Sequence, residues 1–242
     1  MSRTAVVAAS HGTSSAEGRA AVAGLVAAVR AAAPVGCDVV DAFVDVQEPD
    51  VAMVLEALGD GAEATVVPLL LSAGYHVHVD LAEAVDGRRA GLAPALGPDG
   101  RLLDVLVERA RESGLRPDDR VVLAAAGSSD PRAVEDCRAV ARGLGERLGR
   151  PVAIGFLSAA RPALAEAIGF VRATHPVSRV VVSTYLLAPG FFHDLAVAAG
   201  ADVTTAPLLR ADGPPSPRLV ELVLERAAIA APETLAAVSP AA

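Results

Sequence analysis

The stretch VVAASHGTS, residues 6–14, returns in altered form as VVLAAAGSS, residues 121–129. Each copy is a run rich in Val and Ala that ends near a glycine followed by hydroxyl side chains. Matched blocks at a nearly constant offset indicate an internal duplication. Three further blocks repeat at almost the same separation: FVDVQEP at 43–49 with FLSAARP at 156–162, VVPLLLSAG at 66–74 with VVSTYLLAPG at 181–190, and LAPALGPDG at 92–100 with TAPLLRADG at 205–213.

Short apolar runs alternate with longer amphipathic runs along the chain. The apolar runs predict strands at 4–10, 37–45, 64–71, 91–96, 119–125, 151–157, 178–187 and 202–208. The amphipathic runs predict helices at 15–32, 49–58, 78–86, 100–112, 130–148, 161–174, 190–199 and 216–230. Continuous apolar strands between helices are typical of parallel sheets covered on both faces. The sequence therefore predicts an α/β fold of two tandem similar lobes, each a four-stranded parallel sheet flanked by helices.

The duplication predicts a domain boundary near the middle of the chain. We expect an N-terminal lobe over residues 1–114, a C-terminal lobe over 115–230 and a tail over 231–242. The polar segment RESGLRPDD, 111–119, is the predicted linker. The tail is rich in Ala and Pro, which predicts poor order at its end. Since one chain holds both lobes, we expect a monomer.

Composition and charge exclude several classes of function. Hydrophobic residues make up 52% of the chain and charged residues 21%, so a packed core is expected rather than disorder. No apolar run approaches the roughly 20 residues that cross a bilayer. All basic residues are Arg, which excludes Lys-based catalysis, and the net charge of −8 argues against general nucleic-acid binding. Cys37 and Cys137 stand in no metal-ligand spacing, which favours reduced thiols in a cytoplasmic protein.

Comparison of the two halves separates residues that the fold needs from residues that it does not. Each first-half residue singled out below lies at or just beyond the carboxyl end of a predicted strand, where open α/β sheets bind ligands. We therefore expect a cluster of histidines and acids on the functional edge of the first half alone. The replacements in the second half are His11 by Ala126, His76 by Phe192, Asp45 by Ser158 and Glu48 by Arg161.

The histidines also have a structural interpretation. His11 can bond to backbone at a strand end, and His76 and His78 can be solvated side chains of a loop. The HxH spacing alone is a weak signal of a metal site. His193 in the second half has no partner equivalent to His11, so we expect a structural or remnant role for it.

The acids have a structural interpretation as well. Asp45 and Glu48 can cap the helix predicted to begin near Pro49, because negative charge is favourable at a helix start. Two histidines and an acid on one sheet edge together favour the functional interpretation.

Three segments resemble the motifs of a known enzyme family. They are ASHGTS near the N-terminus, FVDVQEP at 43–49 and VVPLLLSAGYHVHVDL at 66–81. Their sequence, order and spacing resemble the sirohydrochlorin cobalt/iron chelatases, a branch of the class II tetrapyrrole chelatases, in a two-domain form with a degenerate second half. The resemblance implies a chelatase-like fold and insertion of a divalent metal into a sirohydrochlorin-type tetrapyrrole. The metal would be Fe²⁺ by family expectation, or else Co²⁺ or Ni²⁺, with no organic cofactor.

The resemblance also implies roles for individual residues. His11 and His76 would be the metal-binding and catalytic pair, and Asp45 would be a catalytic acid where the family often has Glu. Ser14 stands where many members have Arg, so one expected contact with a substrate carboxylate is missing. The candidates for substrate contacts are Gly12, Thr13, Ser14, Arg19, Glu48, Gly74, Tyr75, His78, Arg161 and Arg210.

The chemistry of metal insertion suits these residue types. Neutral imidazole binds iron, cobalt and nickel better than magnesium, and it can also accept a pyrrole proton. A pair of protein ligands leaves open positions through which the macrocycle takes over the metal. Asp45 or Glu48 would orient a histidine or pass protons outward. Arginines and the backbone amides at a helix start would hold the substrate carboxylates.

Other functions fit the same residues. A protein that carries a metal or a tetrapyrrole without turnover is one alternative, and Ser14 in place of Arg slightly favours it. A chelatase for another macrocycle fits less well, because those relatives are generally longer chains. A sugar- or nucleotide-binding α/β protein is disfavoured, since no GxGxxG follows the first strand.

The double role of the histidines predicts that turnover depends on pH. A histidine must be unprotonated to hold the metal or to take a proton, and the ordinary pKa of histidine is about 6.5. We expect insertion to fall below roughly pH 6–7, and the fall to depend on His11 and His76. The insertion rate from about pH 5 to 9 at saturating substrates, with a control for substrate protonation and aggregation, checks this. A flat profile would contradict the roles of both histidines.

Overall fold

The computed structural model describes residues 3–59, 61–72 and 74–231, apart from the side chains of residues 3 and 75–78. The predicted tail beyond residue 231 lies outside the described residues. The strands are β1 (Arg3–Ser10), β2 (Cys37–Phe43), β3 (Ala62–Pro68), β4 (Ala90–Leu92), β5 (Arg120–Ala125), β6 (Val152–Phe156), β7 (Val180–Tyr185) and β8 (Val203–Thr204). The helices are α1 (Ala16–Ala32), α2 (Val51–Leu58), α3 (Tyr75–Val85), α4 (Gly100–Glu112), α5 (Pro131–Leu148), α6 (Leu164–Thr174), α7 (Phe191–Ala198) and α8 (Pro217–Ile229).

The described strands form two separate parallel sheets. One sheet has the order β2-β1-β3-β4 and the other the order β6-β5-β7-β8. Every strand pairing within them is parallel. Each strand of the first sheet thus has a counterpart at the same place in the second. The predicted α/β fold of two tandem four-stranded lobes is confirmed.

The edge strands are shorter than predicted. Strand β4 ends at Leu92 rather than at residue 96, and β8 ends at Thr204 rather than at residue 208. A proline stands shortly beyond each end, and proline has no N–H to donate to a neighbouring strand. The chain therefore leaves the sheet early at both places.

Several other element ends differ from the predicted ones by one to three residues. Helix α3 begins at Tyr75 rather than at residue 78, because Gly74 is its N-cap and the chain turns into the helix directly after it. The linker between the halves begins after Glu112, where α4 ends, and not at residue 111.

Apolar side chains alternate between the two faces of each sheet. On β1, Val6 and Ala8 belong to a central cluster, whereas Val7 and Ala9 belong to an outer one. The central cluster contains buried faces of α1, α4, α5 and α8 together with strands of both sheets. Separate outer clusters join the first sheet to α2 and α3 and the second sheet to α6 and α7. The described helices are thus layered, four between the two sheets and two outside each sheet.

The last helix of each half packs on the other half. Helix α4 contacts α5 and β7, and helix α8 contacts α1 and β3. Arg109 of α4 donates to the carbonyl oxygens of Pro207 and Leu208 at 3.0 and 2.9 Å. Arg226 of α8 makes the equivalent contact with the Ala95 carbonyl oxygen at 3.1 Å. The packing therefore crosses the predicted boundary between the lobes.

The longest described helices, α1 and α5, have 17 and 18 residues, and each buries only one face. None of the helices in the described part of the chain has both the length and the apolar character needed to span a bilayer.

Substitution of Leu222 tests whether the central apolar cluster is a single core shared by both halves. The Leu222 side chain is fully buried on α8, within the cluster that both halves share. We expect Leu222→Ala to lower the free energy of unfolding by about 2–5 kcal/mol, because it leaves a cavity. We also expect a single transition in urea, since both halves lose the same core.

Ile229→Ala at the exposed end of the same helix is the control. It should change the free energy of unfolding by less than about 0.5 kcal/mol. Two separate transitions in the Leu222 variant, with only one of them displaced, would contradict a shared core.

Candidate functional site

A cleft of about 720 Å³ lies at the carboxyl ends of the two sheets. The segments that follow β1, β2 and β3 line it from the first half, together with one face of α1. The segments that follow β5 and β7 line it from the second half. The two halves meet closely here: a Cβ added to Gly18 of α1 would collide with the Pro189 carbonyl oxygen, and one added to Gly74 would lie 3.7 Å from Ser128 Oγ. The two halves therefore form one site.

His11 follows β1 directly and is exposed on the cleft wall. Its carbonyl oxygen accepts a hydrogen bond from the Asp45 amide at 3.0 Å. Gly12 has a φ of +88°, and a Cβ at this position would collide with the Asp45 carbonyl oxygen. Glycine alone combines that backbone angle with so close an approach. The geometry of the loop is therefore imposed by Gly12 and not by the imidazole.

The second half forms the same loop without a histidine. Gly127 has a φ of +94°, and a Cβ there would collide with the Ser158 carbonyl oxygen. The Ser158 amide donates to the Ala126 carbonyl oxygen at 2.9 Å, as the Asp45 amide does to His11. Because Ala126 occupies the equivalent position, the fold does not require the side chain of His11.

The helix that carries His76 begins at the same sheet edge as His11. Strand β3 pairs directly with β1, and α3 starts soon after β3 at Tyr75, with Gly74 as its N-cap. The backbone thus brings His11 and the start of this helix to neighbouring strand ends. The side chains of Tyr75, His76 and His78 lie outside the described residues.

The second half has an aromatic pair where the first half has Tyr75 and His76. Helix α7 begins at Phe191, so Phe192 and His76 are each the second residue of their helix. Both phenylalanines line the cleft, with ring centroids 5.7 Å apart in an edge-to-face arrangement. Phe191 is 70% exposed, so much of its apolar surface is open to a ligand.

Gln47 holds the histidine loop from the side. Its Oε1 accepts a hydrogen bond from the Thr13 amide at 2.9 Å, so this amide is not free for a substrate carboxylate. The Thr13 hydroxyl accepts from the Ser15 amide at 3.1 Å, and Ser15 caps α1 by accepting from the Gly18 amide at 3.2 Å. Gln47 was not among the predicted site residues. Comparison of the halves could have identified Gln47, because the corresponding residue of the second half is Ala160, and the fold therefore does not require glutamine at this position.

Asp45 and Glu48 are exposed and are not part of the cleft wall. Asp45 Oδ1 accepts a hydrogen bond from the Val46 amide at 2.7 Å. The N-cap of α2 is Asp50, whose side chain accepts from the Met53 amide at 2.7 Å. The interpretation in which Asp45 or Glu48 caps α2 is therefore wrong.

Arg19 lines the cleft, whereas Arg161 and Arg210 do not. Arg19 Nη1 donates to the Ser14 carbonyl oxygen at 2.8 Å. Arg161 donates to Glu166 Oε1 at 2.6 Å, and Arg210 pairs with neighbouring acids. Of the three predicted arginines, the one that lines the cleft is therefore Arg19, which lies on the first turn of α1.

Two ionisable side chains of the cleft wall are uncharged at neutral pH. Burial raises the pKa of the Cys137 thiol to about 11, and the neighbouring Asp136 carboxylate acts in the same direction. Burial likewise raises the pKa of the Tyr185 phenol well above its usual range. Tyr185 Oη donates to the Leu71 carbonyl oxygen at 3.0 Å, which links the two halves. Both groups therefore contribute to the wall as neutral side chains.

His193 is half-buried and is not part of the cleft wall. Its Nε2 lies 3.2 Å from the Thr205 carbonyl oxygen, a contact that fits the structural role predicted for it. Among the side chains that the structure describes, no group of three or more His, Cys, Asp or Glu is placed to hold a metal ion.

Comparison with known proteins identifies the family. The CbiX family model matches the chain twice, over residues 5–113 and over residues 120–229. The chain belongs to the CbiX family. Its internal duplication is a pair of CbiX repeats, and the predicted resemblance to the sirohydrochlorin chelatases is confirmed. No curated protein sequence matches the chain.

Solved structures share the fold of this CbiX protein. SirB from Bacillus subtilis with Fe³⁺ has a TM-score of 0.78 and 22% sequence identity, with coverage of 97% of this chain and 98% of that chain. The sirohydrochlorin chelatase SirB from Bacillus subtilis subspecies spizizenii in complex with cobalt has a TM-score of 0.70 and 20% identity, covering 93% and 94%. CbiX, described as the terminal enzyme for biosynthesis of siroheme in denitrifying bacteria, has a TM-score of 0.62 and 20% identity, covering 97% and 99%. The chelatase-like fold follows from these similarities.

Gly12 and His11 are neighbours in the chain, but we expect the fold to require only Gly12. Gly12→Ala should lower the free energy of unfolding by more than about 1 kcal/mol, because the added Cβ meets the Asp45 carbonyl oxygen at a positive φ. His11→Ala should change it by less than about 0.5 kcal/mol, since Ala126 fills the equivalent place in the other repeat. Urea denaturation followed by circular dichroism measures both.

Gly127→Ala is the matched control in the second repeat, and its cost should equal that of Gly12→Ala. If His11→Ala destabilised the protein as much as Gly12→Ala, the imidazole would be part of the fold and the internal comparison would be misleading.

Proposed function

We propose that the protein is a sirohydrochlorin chelatase that inserts a divalent metal into the macrocycle, with Fe²⁺ favoured and Co²⁺ or Ni²⁺ as alternatives. One observation carries the proposal. His11 and the start of the helix that contains His76 lie at neighbouring strand ends, beside a cleft that both CbiX repeats line. The relatives named as a sirohydrochlorin chelatase and as the terminal enzyme of siroheme biosynthesis share this fold over nearly their whole length, which supports the substrate class.

His11 and His76 are the proposed ligands of the incoming metal. Neutral imidazole nitrogen suits iron, cobalt and nickel. Two protein ligands leave coordination positions open, so the macrocycle nitrogens can replace the histidines one after the other. The exposure of His11 on the cleft wall fits this role, because its side chain is available to a metal that arrives from solvent.

The macrocycle would lie in the cleft between the repeats. The volume of about 720 Å³ is in the range of small-molecule sites. The exposed aromatic surface of Phe191 suits the apolar face of a tetrapyrrole ring. As the metal enters, the pyrrole nitrogens lose their protons, and a histidine that releases the metal can accept one of them. The Asp45 backbone is hydrogen bonded to that of His11, which places Asp45 beside the histidine loop, and its exposed carboxylate would pass protons from there to water.

Arg19 is the proposed contact for a substrate carboxylate at the first repeat. Its guanidinium reaches the Ser14 carbonyl oxygen, so it brings positive charge to the place where Ser14 stands instead of the family's Arg. A guanidinium has five N–H donors in a planar fork, and the others can bind a carboxylate. The amides of Gly12 and Ser14 are further candidates. Glu48 and Arg210 are left out as substrate contacts, since neither lines the cleft.

Metal insertion into sirohydrochlorin tests the proposed function. The absorbance of the macrocycle is followed without oxygen, with Fe²⁺, Co²⁺ or Ni²⁺, in the presence and absence of protein. A chelatase raises the rate of insertion above that of the uncatalysed reaction with at least one metal. Binding of the metal and the macrocycle without a higher rate would instead establish a carrier.

His11→Ala and His76→Ala should each lower the rate of insertion by at least about a hundredfold, because each removes a metal ligand and a proton acceptor. Circular dichroism should remain that of the wild type, since the second repeat has Ala126 and Phe192 at these positions. His193→Ala is the control, because His193 lies outside the cleft. A loss of activity in the control equal to that in His11→Ala would place the site in the other repeat.

A further inference from the structure

A second recess, of about 300 Å³, adjoins the cleft on the side of the second repeat. Ser128 lines both the recess and the cleft, so the two lie next to each other at this residue. Its wall combines the loop after β5, the first turns of α5 and the loop after β6. The proposed function does not use this recess.

Two arginines give the recess its chemistry. Arg138 reaches it from α5 and Arg161 from the loop after β6, and their side chains are 47% and 78% exposed. No acid is among the described residues that line it. The acid partners stand outside the wall: Glu135 lies 3.6 Å from Arg138, and Glu166 lies 2.6 Å from Arg161. The recess therefore presents positive charge in a protein whose net charge is −8.

Neither ion pair prevents the binding of a further anion. Exposed pairs of this kind contribute about 0–1 kcal/mol, so a ligand can share or displace them at little cost. Each guanidinium has five N–H donors, and the contact between Arg161 and Glu166 uses Nη1. Planar guanidinium groups match the geometry of a carboxylate and can bind both its oxygens.

The duplication relates the recess to the cleft. Helix α1 follows its N-cap Ser15 as α5 follows its N-cap Asp130, so the position of Ala23 in α1 corresponds to that of Arg138 in α5. Ala23 lines the cleft in the first repeat, and Arg19, one turn before it, does so too. The recess is therefore the second-repeat counterpart of the part of the cleft that α1 lines.

We propose that this recess binds a peripheral carboxylate of the tetrapyrrole, with Arg138 and Arg161 as the residues that recognise it. The inference rests on the proposed function and extends it. A macrocycle in the cleft would meet a guanidinium at each repeat, Arg19 on one side and Arg138 with Arg161 on the other. Because these arginines lie at both repeats, they favour substrates that have carboxylates around the whole rim over substrates that have fewer.

Fluorescence titration with metal-free porphyrins tests the subsite. Uroporphyrin has carboxylates around the whole rim, and coproporphyrin has fewer. We expect Arg138→Gln to raise the dissociation constant of uroporphyrin roughly tenfold, the strength of one charge-assisted hydrogen bond, and that of coproporphyrin by less. Arg161→Gln should act in the same direction, and the affinity of either variant for uroporphyrin should depend less on salt than that of the wild type.

Arg142→Gln is the matched control. Arg142 lies one turn beyond Arg138 on α5, also pairs with Glu135, and lines neither the recess nor the cleft. It should change the dissociation constant by less than about twofold. Equal affinities of the Arg138, Arg161 and Arg142 variants would overturn the subsite while leaving the proposed function intact. A wild-type protein that neither binds these porphyrins nor inserts metal into sirohydrochlorin would overturn both.

Discussion

Burial of four helices between two parallel sheets is the constraint on which the rest of the molecule depends. Helices α1, α4, α5 and α8 share one apolar cluster with strands of both sheets. Because α4 packs on the second sheet and α8 on the first, neither sheet has its inner face covered by its own repeat alone. The carboxyl edges of the two sheets are thereby held around a single cleft.

Within this frame, the repeats share a backbone and differ in side chains. Gly12 and Gly127 hold the first loop of each repeat against the loop after the next strand. His11 stands beside the first of these glycines and Ala126 beside the second, at equivalent places. Duplication thus supplies a fold that tolerates either residue. One repeat can carry metal chemistry while the other supplies apolar and basic walls, such as Phe191 and Arg138.

Much of the fold could be predicted from the sequence because its signals are local. Alternation of Val-rich runs with amphipathic runs predicts the strands and helices, and continuous apolar strands predict sheets covered on both faces. The exchange of α4 and α8 could not be predicted in this way. An apolar stripe indicates that a helix is buried, but it does not specify which sheet covers it. Edge strands β4 and β8 end early because prolines follow them.

The sequence predicted those parts of the candidate site whose positions are determined by the backbone. Comparison of the repeats identified His11 and the helix of His76, because a strand end fixes where the following residue lies. It did not fix where long side chains reach. Arg161 and Arg210 follow strand ends, yet neither lines the cleft: Arg161 lies in the neighbouring recess, and Arg210 pairs with Asp212. Gln47 acts through a hydrogen bond to the Thr13 amide, a contact that depends on the loop conformation.

The central claim is that two repeats with the same loops share one cleft, and that the first repeat alone holds the metal. Anomalous diffraction at the cobalt edge, from crystals of the whole chain grown with Co²⁺, locates the metal directly. The claim predicts a peak within coordination distance of His11 and His76, at about 2.0–2.2 Å from an imidazole nitrogen, and none at the equivalent loop around Ala126. A peak at His193, or at the loop of the second repeat, would contradict it.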